Sequence, residues 1–212
     1  MKTILFQGDS ITDALRSRED DANLGIGYPT LIKGELGLDY PNEYTMYNRG
    51  VGGNRVIDVY ARVKRDIINI KPDVLSILVG VNDVWHDYLT QNGIDAEKYF
   101  RLYSMMIEEI QTALPEIKII IMEPFCLKEY ATDNTEEDPD KWDHFSSEVK
   151  KRGEKAKEIA EKYQLAFVPL QDKFNEASKK APNSYWLRDG VHPTTMGHEL
   201  IKREWLKCFW NL

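Results

Sequence analysis

Five short apolar runs alternate with longer segments in which apolar residues return every three or four positions. The runs are Ile4-Leu5-Phe6, Tyr44 to Asn48, Asp73 to Val79, Ile117 to Met122 and Leu165 to Val168. The third reads Asp-Val-Leu-Ser-Ile-Leu-Val, apolar from Val74 onward except at Ser76. Near-continuous Val, Ile and Leu indicates strands covered on both faces, as in a parallel sheet. The intervening segments predict helices over Val56 to Ile70, Asp95 to Leu114, Trp142 to Tyr163 and Thr194 to Trp210. Tyr99, Tyr103, Met106 and Ile110 make one stripe on the second of these. Asp95 is its expected N-cap, with Lys98 at the position where a full capping box would carry Glu or Gln. Leu200, Ile201, Trp205, Cys208 and Phe209 share a side of the last. The alternation predicts an α/β fold, a three-layer α/β/α sandwich around a parallel sheet of about five strands with right-handed crossovers.

Composition narrows the class. The 212 residues include 35 acidic and 28 basic side chains, a net charge of −7, with 42% hydrophobic residues. That is the profile of a globular domain, and one domain over residues 1–212 is expected. The acidic balance argues against a nucleic-acid binder, which needs clustered positive charge. No apolar run approaches the ~20 residues of a membrane span, and residues 1–6 are too short for a signal-peptide core. No membrane partner and a cytoplasmic location are expected. Cys126 and Cys208 are too few for a disulfide framework and read as reduced thiols.

In parallel α/β sheets, ligand sites form outside the carboxyl ends of the strands. The residues found there are Gly8-Asp9-Ser10, then Asn48 to Gly53, then Gly80-Val81-Asn82-Asp83, with Asp189-Gly190-Val191-His192 beyond the last strand. Ser10 stands at a strand-to-helix turn, where it serves either as a helix cap or as an exposed nucleophile. Asp189 three residues before His192 could hold the imidazole tautomer that accepts a serine proton at Nε2, or could simply shape a turn. Asn82, with the backbone N–H groups of Ser10 and Gly53, could supply the donors an oxyanion requires, although Asn82 could equally cap a segment and the glycines form a plain turn.

These four blocks, in this order and across nearly the whole chain, resemble those of the SGNH hydrolase superfamily, also called GDSL esterases and lipases. The resemblance implies a flavodoxin-like SGNH hydrolase fold. It also implies Ser10 as nucleophile, His192 as base and acid, Asp189 as its orienting partner, and an oxyanion hole of Ser10, Gly53 and Asn82. Gly8 to Asp13 with the Arg-rich stretch after it, Gly25-Ile26-Gly27-Tyr28, Gly80 to Trp85 and Glu123-Pro124-Phe125 resemble the bacterial intracellular acetylxylan esterases of this superfamily.

The implied activity is a serine esterase that removes short acyl groups, acetyl above all, from carbohydrates such as acetylated xylo-oligosaccharides. The partner expected is this small ester. Neither cofactor nor metal is expected, since His192, His198 and Glu199 lack a metalloenzyme spacing. A broad short-chain esterase, thioesterase or lysophospholipase on the same site is the alternative. A catalytically silent carbohydrate-binding module is an alternative of another class. Asp9, Trp85 and Trp186 are the candidates for touching substrate, with Trp142 and Tyr185 behind them. Each burial of a CH₂ is worth roughly 0.8 kcal/mol where an apolar channel receives it. The loop within Glu123 to Ser147 is instead polar, and its acidic stretch Asp133 to Asp140 is expected to flank the site, as a lid or a plain solvated loop, and to disfavour anionic substrates. Trp205, Phe209 and Trp210 are expected to pack on the sheet or on a second subunit, so a homo-oligomer is open.

Overall fold

The apolar runs become the strands of one sheet in the computed structural model, which describes residues 1–212. They are β1 (Lys2–Gly8), β2 (Tyr44–Asn48), β3 (Val74–Leu78), β4 (Lys118–Met122) and β5 (Ala166–Val168). Every pairing is parallel and the strand order is β2-β1-β3-β4-β5. All five residues of the central β3 are buried, whereas the edge strands β2 and β5 keep partly exposed positions. The chain's progression across the sheet reverses between β1 and β3, which opens a crevice at their carboxyl ends. Gly8 lies opposite Leu78 in the ladder, so Ser10 and the residues after β3 emerge side by side.

Helices cover both faces. In chain order they are α1 (Ser10–Asp13), α2 (Tyr28–Asp39), α3 (Val56–Tyr60), α4 (Val81–Thr90), α5 (Ala96–Ala113), α6 (Lys141–Lys162), α7 (Gln171–Ser178), α8 (Asn183–Trp186) and α9 (Thr195–Phe209). The stripe predicted on α5 is buried throughout, and Asp95 caps the helix by accepting from the Lys98 N–H at 2.8 Å. The single helix expected over residues 56–70 is two pieces, α3 and a π-helical turn over Lys64–Ile68, in which the Asn69 N–H reaches the Lys64 carbonyl. Both pieces keep Val56, Val59, Val63 and Ile67 inside. No helix is long and apolar enough to cross a membrane.

The C-terminal aromatics divide between core and surface. Trp205 is fully buried, stacks on Phe209 with ring centroids 4.8 Å apart, and tilts against Phe6. Its indole N–H donates to Ser76 Oγ at 3.0 Å, so the one polar residue of β3 satisfies the one polar atom of that ring. Trp210, by contrast, is half exposed.

One buried side chain ties the loops of the crevice together. Asn48, the last residue of β2, donates from Nδ2 to the carbonyls of Thr12 (2.6 Å) and Leu24 (2.9 Å), and its Oδ1 accepts from the Gly50 N–H at 2.9 Å. Replacing Asn48 by Ala strands these backbone groups without water, at about 1–3 kcal/mol for each left unsatisfied. Asn48→Ala should therefore lower the urea-unfolding free energy by about 3 kcal/mol or more. A loss below 0.5 kcal/mol, within the usual range for surface substitutions, would show that the loops hold without it.

Candidate active site

Three side chains meet at the carboxyl edge of β1. Ser10 Oγ lies 2.9 Å from His192 Nε2, and His192 Nδ1 lies 2.6 Å from Asp189 Oδ2. Burial works to raise the pKa of Asp189, but hydrogen bonds from the His192 ring and from the His192 and Val191 N–H groups outweigh it and hold the carboxyl at about 2. The carboxylate is thus ionised at any working pH. It accepts the Nδ1–H, which leaves Nε2 of the neutral ring to accept from the Ser10 hydroxyl. A hydroxyl so placed can lose its proton as its oxygen attacks an electrophile.

Local backbone explains how 182 residues of separation close to one hydrogen bond. On the serine side, Asp9 caps α1 by accepting from the Ile11 N–H at 2.9 Å. On the histidine side, Gly190 adopts φ +97°, and a Cβ there would stand 2.4 Å from Thr132 Oγ1 and 2.6 Å from the Leu127 carbonyl. Glycine alone allows that approach. The Gly190 carbonyl accepts from the Leu127 N–H at 2.9 Å, and Thr132 Oγ1 donates to Leu127 O at 2.7 Å, so the segment after β4 clamps the histidine loop.

The polar donors lie on the other side of Ser10. Gly53, at φ +79°, follows Gly52, whose position for a Cβ is 3.8 Å from Ser10 Cβ. The N–H groups of Ser10 and Gly53 have no acceptor within the protein. Asn82 opens α4, and its Nδ2 donates to the Asn54 carbonyl at 3.2 Å, which fixes the amide and leaves its second N–H free. The Gly-rich loop is held from beneath by buried Asp83, whose carboxyl accepts from the Val56 N–H at 3.1 Å. Asp83 had no role in the sequence reading, although it adjoins Asn82 in the same block.

Two spaces open beside His192. A nook of about 60 Å³ is lined by Val81, Asn82, Trp85, Ala131, Asp189, Val191 and His192. Trp85 is therefore where the sequence suggested, and it also packs edge-on against Phe145 with centroids 5.0 Å apart. The second is an open groove of about 520 Å³ that includes Ser10, Arg16, Arg18, Arg188, His192 and His198. His198 is buried there and accepts from the Tyr28 N–H at Nδ1; burial, with the nearby Arg188 and His192 charges, pushes its pKa down to about 4.

Three expectations are corrected. Asp9 is buried and turns into the protein as a helix cap, so it cannot contact substrate. Trp186 faces a separate groove with Leu31, Lys173, Thr195 and Met196, because α8 ends before the chain turns back to His192. The acidic stretch Asp133 to Asp140 lines neither space: Asp133 pairs with Lys128 at 3.1 Å, and Asp138 accepts from the Tyr88 hydroxyl. Only the root of that loop, at Ala131, reaches the nook. Trp142 also lines another groove, and Tyr185 stands half exposed against Trp186.

A Ser-His-Asp chain at the switch point of a 2-1-3-4-5 parallel sheet, beside unpaired N–H donors, defines a serine-hydrolase type of site. The sequence profile of the GDSL-like Lipase/Acylhydrolase family matches residues 6–200, and the chain belongs to that family. It is 33% identical over 214 residues to an acetylxylan esterase of Geobacillus stearothermophilus, covering 96% of this chain and 92% of the relative. A crystal structure from Parabacteroides merdae ATCC 43184, described as a GDSL-like lipase, superposes with a TM-score of 0.88 at 33% identity, over 98% of this chain and 94% of that one. A mutant of Axe2, an acetyl-xylooligosaccharide esterase from Geobacillus, superposes with a TM-score of 0.84 at 32% identity, over 98% and 93%. The chain is a carboxylic ester hydrolase.

Asp9 supplies a test of how tightly the crevice is built. Its burial raises the carboxyl pKa to about 7, against the opposing pull of the Ile11 N–H and of His192, and its Oδ2 has no partner. A folded-state pKa above the unfolded value near 3.8 means the folded protein holds the proton more tightly. Stability is then lost as pH rises from about 4 to about 7 and stays lower above that window. Asp9→Asn keeps the cap acceptor and removes this loss. The Tm of the variant relative to the parent should therefore be higher at pH 8 than at pH 5 in thermal melts. An equal Tm difference at both pH values would mean that Asp9 titrates as it does in the unfolded chain.

Proposed function

We propose that the protein is a carbohydrate O-acetylesterase that works through a covalent acetyl-enzyme at Ser10. The observation that carries the acyl preference is the nook beside His192. At about 60 Å³ it is far smaller than the groove of about 520 Å³ on the other side of the imidazole, and that contrast favours a short acyl group over a long chain. The similarity to acetylxylan and acetyl-xylooligosaccharide esterases supports the sugar as the alcohol.

In this reading the sugar ester lies with its acetyl methyl in the nook and its alcohol in the open groove. Ser10 Oγ attacks the acetyl carbonyl while its proton passes to His192 Nε2. The carbonyl oxygen takes up negative charge and accepts from the Ser10 and Gly53 N–H groups and the free Asn82 amide hydrogen. Asp189 balances the imidazolium formed. The carbon–oxygen bond to the sugar then breaks, and His192 returns the proton to the leaving hydroxyl. A water deprotonated by His192 attacks acetyl-Ser10, releasing acetate and restoring the serine. Removing the base, its carboxylate or the donors removes stabilisation present only in the transition state.

Ser10→Ala should lower kcat on 4-nitrophenyl acetate by ~10⁴–10⁶-fold, as for triad knockouts elsewhere, and near-normal turnover would overturn the covalent route. Asn82→Ala should cost about 10²–10³-fold in kcat, as for one oxyanion donor; a loss under threefold would mean that its amide does not serve the oxyanion. Along a series of nitrophenyl esters, kcat/KM should fall from acetyl to butyryl to octanoyl. A rise with chain length would contradict the short-acyl reading.

A further inference from the structure

The open groove runs against the charge of the molecule. The chain as a whole is acidic, at −7, yet the wall beside Ser10 presents the guanidinium groups of Arg16, Arg18 and Arg188 against one carboxylate, Asp13. Asp13 is already engaged: Arg18 meets it two-pronged, at 3.1 and 2.5 Å, and the Gly52 N–H donates to its Oδ2 at 3.1 Å. Arg16 has no acidic partner. Its Nε donates to the Gly50 carbonyl at 2.8 Å and its Nη1 to the Ser17 carbonyl at 3.2 Å. Burial above all, with the neighbouring Arg18 and Arg49 cations, pushes the Arg16 guanidinium down to about 10 against the opposing pull of Asp13 and Asp66. Arg188 is 70% exposed, and its closest acid is Asp189, 4.0 Å away, whose Oδ2 is held by His192. His198 is neutral at pH 7 and adds no charge. Apolar Leu15 and Ile26 stand exposed at the same groove, where the C–H face of a sugar can rest.

We propose that Arg16 and Arg188 are specificity-determining residues that make the groove prefer an acetylated sugar carrying an anionic substituent. This rests on the reading of the site as a sugar acetylesterase and names its alcohol more closely. A carboxylate or phosphate on the leaving sugar gains charge-assisted hydrogen bonds from donors that have no carboxylate of their own. A neutral sugar can accept only the weaker hydrogen bonds of its hydroxyls from the same donors. This reverses the substrate preference that the acidic loop suggested from sequence.

The test compares kcat/KM within two pairs of acetylated substrates of matched size, three of them charged or charge-masked variants and one a neutral parent. One is a xylo-oligosaccharide bearing a uronic acid, the second is the same compound with the uronate methyl-esterified, and the third is an acetylated sugar phosphate measured against its neutral parent. At low ionic strength at least one anionic substrate should exceed its neutral match by about tenfold, the worth of one charge-assisted hydrogen bond. Which anion does so distinguishes carboxylate from phosphate. The preference should shrink several-fold at 0.5 M NaCl, and Arg188→Gln and Arg16→Gln should each reduce the ratio. Ratios near one for both anions at low salt, or ratios unchanged in both variants, overturn the proposal while leaving the acetylesterase reading intact. If 4-nitrophenyl acetate is hydrolysed but none of the sugar acetates is, the acetylesterase reading fails and the proposal with it.

Discussion

The Asp189 carboxylate accepts hydrogen bonds from the N–H of Val191, the N–H of His192 and the His192 ring, at 3.0, 2.7 and 2.6 Å. Those three bonds wind a four-residue loop around one anion. The two backbone bonds set the loop's shape, and the third sets the ring's orientation and tautomer from the same group. The arrangement works only if the loop can be compact. Gly190 permits that by crossing the Leu127 and Thr132 atoms where no side chain would fit. The carboxylate is also ionised well below neutrality because the same bonds that shape the loop favour its charge. Geometry and electrostatics of the base therefore share one cause, and neither can be altered without the other.

The partner half of the site is set by sheet topology. Parallel register brings Gly8 opposite Leu78, so α1 and α4 start next to each other and their first residues, Ser10 and Asn82, face a common crevice. The Gly-rich loop after β2 completes it, held by Asn48 from one side and by Asp83 from the other. Both are buried polar groups with backbone partners. Burying them is tolerable only because those partners are present. The N–H groups of Ser10 and Gly53 have no protein acceptor, and the proposed mechanism puts the developing negative charge beside them.

Much of this was legible in the chain, and what was not has physical reasons. The inner strands β1, β3 and β4 stood out because burial on both faces demands near-unbroken apolar runs. The stripe on α5 stood out because a one-sided helix shows its period. Helix α2 gave no such signal: Gly34 and Gly37 lie in its interior, and Pro29 sits in its first turn. The ordered blocks pointed to Ser10, Asp189, His192, Gly53 and Asn82, all of which the fold gathers at one edge. Asp9 and Trp186 were misplaced for a different reason. Proximity in sequence to a site residue does not say which way a side chain leaves the backbone. The N-cap role turns Asp9 inward, and the end of α8 puts the Trp186 ring on the far side. The arginines of the groove were visible only as an Arg-rich stretch. Their convergence depends on Ala14 and Leu15, both left-handed at φ 39° and 63°, which reverse the chain after α1 and bring Arg16 back to the Gly50 carbonyl. Left-handed Ala and Leu are not foreseeable from composition.

Net charge proved a poor guide to the site for the same reason. Screening confines an exposed charge's influence to about 10 Å at moderate salt, so a substrate beside Ser10 responds to the few groups lining its groove and hardly to the chain's total. Two acids of the 133–140 loop, Asp133 and Asp138, are engaged by Lys128 and Tyr88, and none of the loop's acids lines the nook. The cations nearest the serine are left with backbone carbonyls or with a carboxylate that His192 already occupies. The two sides of His192 are thereby made unlike: a small recess walled in part by Val81, Trp85, Ala131 and Val191 on one, and a larger trough lined by arginines on the other. On the proposed reading, an ester bound across the imidazole presents its short acyl group to the first and its alcohol to the second. The proposed direction of binding, and hence which fragment leaves with the proton from His192, rests on that asymmetry.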